Sequence, residues 1–398
     1  WDFDENFATQ AIKEAVEGYA ATYGETVLYS SARNEYAITR MSRILTRTVL
    51  TLQQHLKQGS FQPDDYELSF RFAEDLDSIH VDLSEEEKMH LQGRIDRIDV
   101  SEDAEHVYVK VIDYKSGNKK FDLAALYYGL QLQLVVYMNA AMELESRKHP
   151  DKEIVPAALL YYHIDDPTIE TPVELTQEQI NEEILTKLRM NGVVNSDPAV
   201  VERLDRFLQD KSKVIPVEKK KDGSFSARSG ILSREELHVV SAYVDTKIRQ
   251  IGREILDGKI AANPYEKGNE EACTYCAYKK VCGFDGSIPG YEKRQLEDLD
   301  KQTLMQRMQK MQEEMTRAQA ELEEKVYHVS AGGGNIEVEI NGKKEVTSVT
   351  LKPEVVDPDD IEFLQDLIRE GVNEAIRACT ADAEQTIGAI TGGLDLGL

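Results

Sequence analysis

An α/β architecture is what this sequence predicts: a mixed sheet flanked by helices, followed by a small α+β unit of helix, hairpin and helix. Three observations point there. Apolar residues recur at helical spacing over 6–57 and alternate from Tyr66; the two periods then interleave to about residue 258; and beyond Asp300 the composition shifts to Gln, Met and Glu. A chain of 398 residues exceeds what one core usually reaches, so two domains are expected, 1-300 and 301-398.

The first segment is clearest at Arg40 to Leu56, a helix with Met41, Ile44, Leu45, Val49 and Leu52 on one side. Tyr66–Phe70 alternates as a strand. Leu91 to Val100 and His106 to Tyr114 alternate across the polar turn Ser101–Glu105, which makes them an antiparallel pair. Helical period resumes from Leu123 to Leu144, a short strand is expected at Ala157–His163, and helices fill Gln177 to Leu208. Asp222-Gly223 reads as a hairpin turn, and Ser233-Arg234-Glu235-Glu236 as a capping box that opens a helix to about Gly258. In the tail, Leu304, Met308, Met311, Met315, Ala318 and Leu322 make a heptad stripe. After Ala331-Gly332-Gly333-Gly334, Ile336, Val338 and Ile340 lead through an Asn341-Gly342 turn to a return strand with Val349 and Leu351. Asp357-Pro358-Asp359-Asp360 then starts a helix carrying Ile361, Leu364, Ile368, Val372 and Ile376.

Composition narrows the function. Hydrophobic residues at 41% and charged residues at 30% describe an ordinary globular protein. No apolar run approaches the roughly 20 residues of a membrane helix, so no membrane partner and a cytoplasmic location are expected. The opening Trp1-Asp2-Phe3-Asp4-Glu5 reads as cut from a longer chain. A formal charge of -26 argues against broad adhesion to DNA, so any DNA contact must be local. No G-x-x-x-x-G-K-[ST] run occurs, so no ATPase is visible.

Val107, Val109, Val111, Asp113 and Lys115 share one strand face. At about 3.3 Å per residue, Asp113 and Lys115 stand roughly 7 Å apart on it, within reach of one ion and its water. A hairpin brings Asp96, from Gly93-Arg94-Ile95-Asp96-Arg97-Ile98-Asp99, beside them. Two carboxylates that leave room for waters and phosphate oxygens suit Mg²⁺, so Asp96 and Asp113 are the expected metal ligands. Lys115 then positions the nucleophile or donates to the phosphate, which is phosphodiester hydrolysis. Gln133 and Tyr137 are four apart on the next helix and are suited to hydrogen-bonding a phosphate or the attacking water. Each pattern is common singly; their order and spacing together carry the reading.

Cys273-Thr274-Tyr275-Cys276 and Cys282 form a C-x2-C-x5-C cluster within 273-282, a spacing that favours metal over disulfides in a cytosolic protein. Zinc and an iron-sulfur cluster both want four ligands, and Cys379 is expected to be a buried small residue instead.

The residues Gly93–Asp99, Val111-Ile112-Asp113-Tyr114-Lys115-Ser116-Gly117 and Tyr127-Tyr128-Gly129-Leu130-Gln131-Leu132-Gln133 through Tyr137 resemble the RecB-type PD-(D/E)XK nuclease domain with its restriction-endonuclease-like fold. Within that family they are most similar to the C-terminal part of AddB-type proteins, over roughly 1-300. The resemblance implies a Mg²⁺-dependent DNA exonuclease module of a helicase-nuclease that acts in double-strand break repair and recombination beside an AddA-like partner. It also implies Asp96, Asp113 and Lys115 as the catalytic core, supported by Gln133 and Tyr137. Cys273, Cys276 and Cys282 are by the same resemblance three ligands of a [4Fe-4S] cluster whose fourth, an upstream cysteine, is missing here, as is an upstream active-site His. The tail from Leu304 to Thr391-Gly392-Gly393-Leu394 is similar to the YbaB/EbfC family of nucleoid-associated DNA-binding proteins, which implies a DNA-binding homodimer. The alternative is a non-catalytic, dimerising DNA-binding protein with an incomplete nuclease domain.

Overall fold

The computed structural model describes residues 2–70, 76–83, 87–117, 119–171 and 174–392. The chain divides into two compact units, Trp1–Asp245 and Thr246–Leu398.

Helices α1 (Glu5–Thr22) and α2 (Ala32–Gln58) open the first unit. Asp4 caps one by accepting from the Phe7 amide, and Ser31 caps the other by accepting from Asn34. The expected helical layer is present, but its buried stripe is rotated. Met41 is exposed and Ile44, Leu45, Val49 and Leu52 are half-buried, while Thr48, Thr51 and His55 are buried. The physical reason lies opposite, where the sheet presents polar groups: the His55 ring meets that of Tyr162 edge-on at 6.1 Å.

Next come β1 (Gln62–Ser69), a separate hairpin of β2 (His80–Asp82) and β3 (Lys88–His90), β4 (Arg94–Glu102) and β5 (His106–Lys115). β4 and β5 are the antiparallel pair that alternation predicts, with Arg97 opposite Ile112 and Val100 opposite Val109. β6 (Glu153–His163) lies parallel to β5, which demands a crossover. Two helices make it, α3 (Leu123–Tyr127) and α4 (Gln133–Lys148), where periodicity predicts one. The break is a helix stop: Gly129 turns left-handed at φ 81°, and the amides of Tyr128, Gly129 and Leu130 donate back to carbonyls of Ala124, Leu126 and Ala125.

The stretch 177–208 also departs from expectation. α5 (Gln177–Lys187) and α6 (Pro198–Leu204) flank a strand, β7 (Asn191–Asn195), antiparallel to β6. Gly192, at φ 146°, makes this possible, since a Cβ there would lie 2.1 Å from the Leu159 carbonyl oxygen. The Asp222-Gly223 turn closes as expected, with Gly223 at φ 83° and its amide donating to Lys220 at 2.9 Å. β8 (Ile231–Leu232) completes a sheet ordered β1-β4-β5-β6-β7-β8. The capping box is reciprocal: Ser233 accepts from the Glu236 amide at 3.2 Å and donates its own amide to the Glu236 carboxylate at 2.7 Å, opening α7 (Arg234–Leu256). Phe61, Ile112, Leu160, Tyr162, Val194 and Val200 belong to the core on one face of the sheet.

The second unit contains a small sheet that the sequence does not announce, of β9 (Tyr265–Lys267), β10 (Glu270–Glu271) and β11 (Arg294–Gln295). Asp300 then caps α8 (Lys301–Glu324) by accepting from the Thr303 amide at 3.0 Å. Of the heptad stripe, Leu304, Met308, Met311 and Ala318 are buried and Met315 and Leu322 half-buried. β12 (Val326–Ala331), β13 (Ile336–Asn341) and β14 (Val346–Leu351) form a meander, one strand more than the expected hairpin. The turn is longer than Asn341-Gly342: Asn341 Oδ1 accepts from the amides of Lys343 and Glu345, and Lys344 takes the left-handed φ of 62°. Gly342 is needed for another reason, because a Cβ would lie 1.7 Å from the Leu322 carbonyl oxygen. α9 (Ile361–Gly392) packs Leu367, Ala375 and Cys379 over Ile336, Val338 and Ile340. Cys379 is buried as expected, whereas Leu364, Ile368, Val372 and Ile376 sit half-buried and Ile361 is exposed. Gly393 and Leu394 lie outside the described residues.

Candidate active site

The end of β5 gathers the residues that order and spacing single out. Asp113 and Lys115 point to one side of the strand, and the Lys115 ammonium lies 2.5 Å from Asp113 Oδ2. Asp96 occupies the β4 position next outward from the Arg97–Ile112 pair, which is opposite Asp113. Its carboxylate accepts from the Tyr114 amide at 2.8 Å, so side chain as well as backbone ties the two strands together. Two carboxylates and an ammonium thus share one corner of the sheet.

α4 covers that corner with its first turn. Gln133 is exposed at the first position of the helix, and its Oε1 accepts from Lys115 at 3.1 Å. Its Nε2 donates to the Tyr137 hydroxyl at 2.8 Å, one turn on. Asp113, Lys115, Gln133 and Tyr137 therefore form one chain of polar contacts running from strand to helix. Burial pushes the Asp113 carboxyl above the ordinary range, the ammoniums of Lys115 and Lys119 oppose it, and the charge of Asp96 adds to it. A carboxylate held this way gains most from a neighbouring cation.

Other residues support the corner that periodicity did not single out. Tyr161, opposite Asp113 on β6, lays its ring 5.2 Å from the Lys115 ammonium. Gln131 bridges the loop before α3: it accepts from the Asp122 amide and donates to the Lys120 carbonyl, both at 3.1 Å. On the opposite face of the sheet, Arg97 clasps Asp99 through Nε at 2.5 Å and Nη2 at 2.9 Å, and Lys110 reaches the same carboxylate at 2.8 Å. Burial opposes the charge on Asp99, yet Lys110 and Arg97 outweigh it and hold its carboxyl low. Arg97 and Asp99 stand inside the Gly93–Asp99 run, so the signal was a pair of opposite charges two residues apart, on one face of a strand.

The three loop cysteines are separate from this corner in sequence and chemistry. Cys273 is half-buried, Cys276 and Cys282 are exposed, and all are free thiols. Among the described residues, Asp64, Asp65 and Glu145 are the one set of three His, Cys, Asp or Glu donors within 4.8 Å of one another. The three cysteine sulfurs therefore do not all lie within 4.8 Å of one another. The acidic trio already shares one cation, since the Lys148 ammonium stands 2.5, 2.8 and 2.8 Å from its three carboxylates.

A strand-end Asp96, Asp113 and Lys115 under a helix-borne Gln133 defines a class, and comparison with known proteins agrees: the chain belongs to the PD-(D/E)XK nuclease superfamily, whose model matches residues 4–283. Residues 297–394 match the YbaB/EbfC DNA-binding family. Among curated relatives, the B-type component of the ATP-dependent helicase/deoxyribonuclease of Lachnoclostridium phytofermentans is 42% identical over 313 residues, covering 76% of this chain and 26% of the relative. The protein of the same name from Thermoanaerobacter sp. is 33% identical over 78% of this chain and 27% of its own length. That of Clostridium acetobutylicum is 37% identical over 75% and 26%. The chain thus spans about a quarter of the length of the curated relatives it matches. Nucleases of this superfamily generally use divalent metals. Among the described residues no helix is long and apolar enough to cross a membrane.

Proposed function

We propose that residues 1-300 form a Mg²⁺-dependent DNA exonuclease module of an AddAB-type helicase-nuclease, acting with an AddA-like partner in double-strand break repair and recombination. The observation that carries this reading is the contact chain Asp113–Lys115–Gln133–Tyr137 with Asp96 set opposite Asp113. Two adjacent carboxylates are hard oxygen donors and fit a hard divalent cation, so Asp96 and Asp113 would hold it. When bound, the metal lowers the pKa of a water and neutralises developing charge on the phosphate. Lys115 donates to the phosphate or holds the nucleophile, its ammonium steered by Asp113, Gln133 and the Tyr161 ring. Gln133 fixes Lys115 on one side and is itself fixed by Tyr137.

The test is cleavage of labelled linear DNA by the full chain with Mg²⁺, beside Lys115→Ala. Loss of one preorganised cationic donor should lower the rate by about 10²-fold or more. Equal rates in both, or no cleavage in either across divalent metals, would overturn the enzymatic reading.

For Cys273, Cys276 and Cys282 the proposal is three ligands of a [4Fe-4S] cluster in the intact parent, its fourth ligand missing here; their spacing supports a metal centre and the family resemblance the cluster. A mononuclear ion needs sulfurs within about 4.6 Å of one another, given metal–sulfur bonds of about 2.3 Å, whereas a cluster gives each thiolate its own iron. The tail, 301-398, is proposed to be a homodimeric, nucleoid-associated DNA-binding domain. The match of residues 297–394 to a DNA-binding family supports the DNA binding, and the apolar surface of α9 and β14, where Ile361, Phe363, Val346 and Val349 are exposed, supports the dimer. Light scattering on the full chain should show a dimer.

A further inference from the structure

The loop joining β5 to α3 carries a second basic element beside the carboxylates. Lys119 and Lys120 are exposed there, and neither has a carboxylate partner within 4.0 Å among the described residues. By contrast, Lys110, Lys115, Lys148 and Lys152 each hold at least one carboxylate. Lys119 follows Lys115 by only four residues, in the loop that leaves the end of β5 carrying Asp113 and Lys115.

The backbone under these lysines is anchored on every side. His163 Nδ1 meets the Gly117 carbonyl at 2.5 Å, and the Phe121 amide donates to Asn191 Oδ1 at 2.6 Å. Gln131 holds both the Lys120 carbonyl and the Asp122 amide at 3.1 Å, and Asp122 caps α3 through the Ala124 and Ala125 amides. Pinned to β6, β7 and the turn before α4, the loop holds the backbone of two exposed, unpaired lysines next to the end of β5. The anchoring also accounts for Gln131, a buried side chain that the proposed chemistry does not use.

We propose that Lys119 and Lys120 grip the backbone phosphates flanking the one presented to Asp96, Asp113 and Lys115. This deepens the nuclease reading and rests on it: the ligand is a phosphodiester strand, read by charge and not by base. The grip supplies locally the affinity that the net charge of the chain withholds.

The test is a salt series of anisotropy titrations with a short labelled single-stranded oligonucleotide, on the full chain carrying Lys115→Ala. Lys119→Gln with Lys120→Gln is compared with Lys220→Gln plus Lys221→Gln, two exposed lysines at the Asp222-Gly223 turn. Losing two phosphate contacts should flatten the slope of log affinity against log salt by about 1.4, at about 0.7 per phosphate for single strands. The arginine pair, Lys119→Arg with Lys120→Arg, should restore it. Slopes that change equally in the loop and turn variants, or in neither, overturn the proposal. A wild type that fails to cleave while the loop variant alone loses slope would sink the nuclease reading and leave the grip standing; cleavage with no loop-specific change would do the reverse.

Discussion

Asp99 answers two buried cations with one carboxylate, and it is wholly shielded from solvent. Removing its charge leaves Arg97 and Lys110 buried without a counter-ion, directly behind the strands that carry Asp96 and Asp113. Breaking a buried pair costs about 3–5 kcal/mol, so Asp99→Asn should lower the stability of the first unit by that order in urea titrations. A loss under about 1 kcal/mol would mean that the cations find water. His55 gives a second residue-scale prediction. Burial, then Lys110 and Arg97, push its pKa from 6.5 down to about 3, so the folded protein keeps the ring neutral while the unfolded chain can protonate it. Stability from this residue is complete above pH 6.5 and declines as pH falls toward 3. The decline amounts to about 1.4 kcal/mol per pH unit, or about 2 kcal/mol by pH 5. Measured between pH 7 and 5, stability of His55→Gln should lack that component; parallel curves for variant and wild type would show that the ring is hydrated in the fold.

At the scale of elements, β7 exists because residue 192 is glycine. Gly192→Ala places a methyl 2.1 Å from the Leu159 carbonyl oxygen at a φ of 146°, so β6 and β7 must separate. Backbone strain of this kind costs about 1–3 kcal/mol before the steric conflict is added. The variant should unfold at least about 3 kcal/mol more easily, read by denaturant midpoint at unchanged m-value. β7 also shows what the sequence could and could not reveal. Val193-Val194 is apolar for only two residues, so neither period resolves it, and Gly192 reads as a helix-weakening residue until Leu159 is known to lie against it. The β4–β5 pair was legible because nine- and ten-residue strands carry alternation and a polar turn between them. The candidate site was legible for the same reason, since Asp96, Asp113 and Lys115 all lie on that pair. Gln131 and Tyr161 were not, because their work depends on a loop and a parallel neighbour that only the crossover brings near. The polar buried face of α2 was hidden too: Thr48, Thr51 and His55 are buried by what opposes them, not by their own character.

For the whole molecule, the two compact units have separate buried clusters, one around Ile112, Leu160 and Tyr162 and the other around Ile336, Val338 and Ile340. A core mutation is felt where its own neighbours lose contacts, so damage to one cluster should stay within its unit. Val338 is fully buried, and Val338→Ala removes two methylene equivalents and leaves a cavity, a loss of roughly 2 kcal/mol. Amide hydrogen exchange on the full chain separates the two responses by segment. Val338→Ala should accelerate exchange of the slowest amides in β12, β13 and α9 while β4, β5 and β6 keep wild-type protection, and Asp99→Asn should give the converse pattern. Protection lost together in both segments, by either variant, would show that the units unfold as one cooperative body. Independent responses would mean that the second unit stays folded when the first opens, so that destabilising the β4–β5 corner would reduce the proposed cleavage while leaving the proposed DNA contacts of the tail in place.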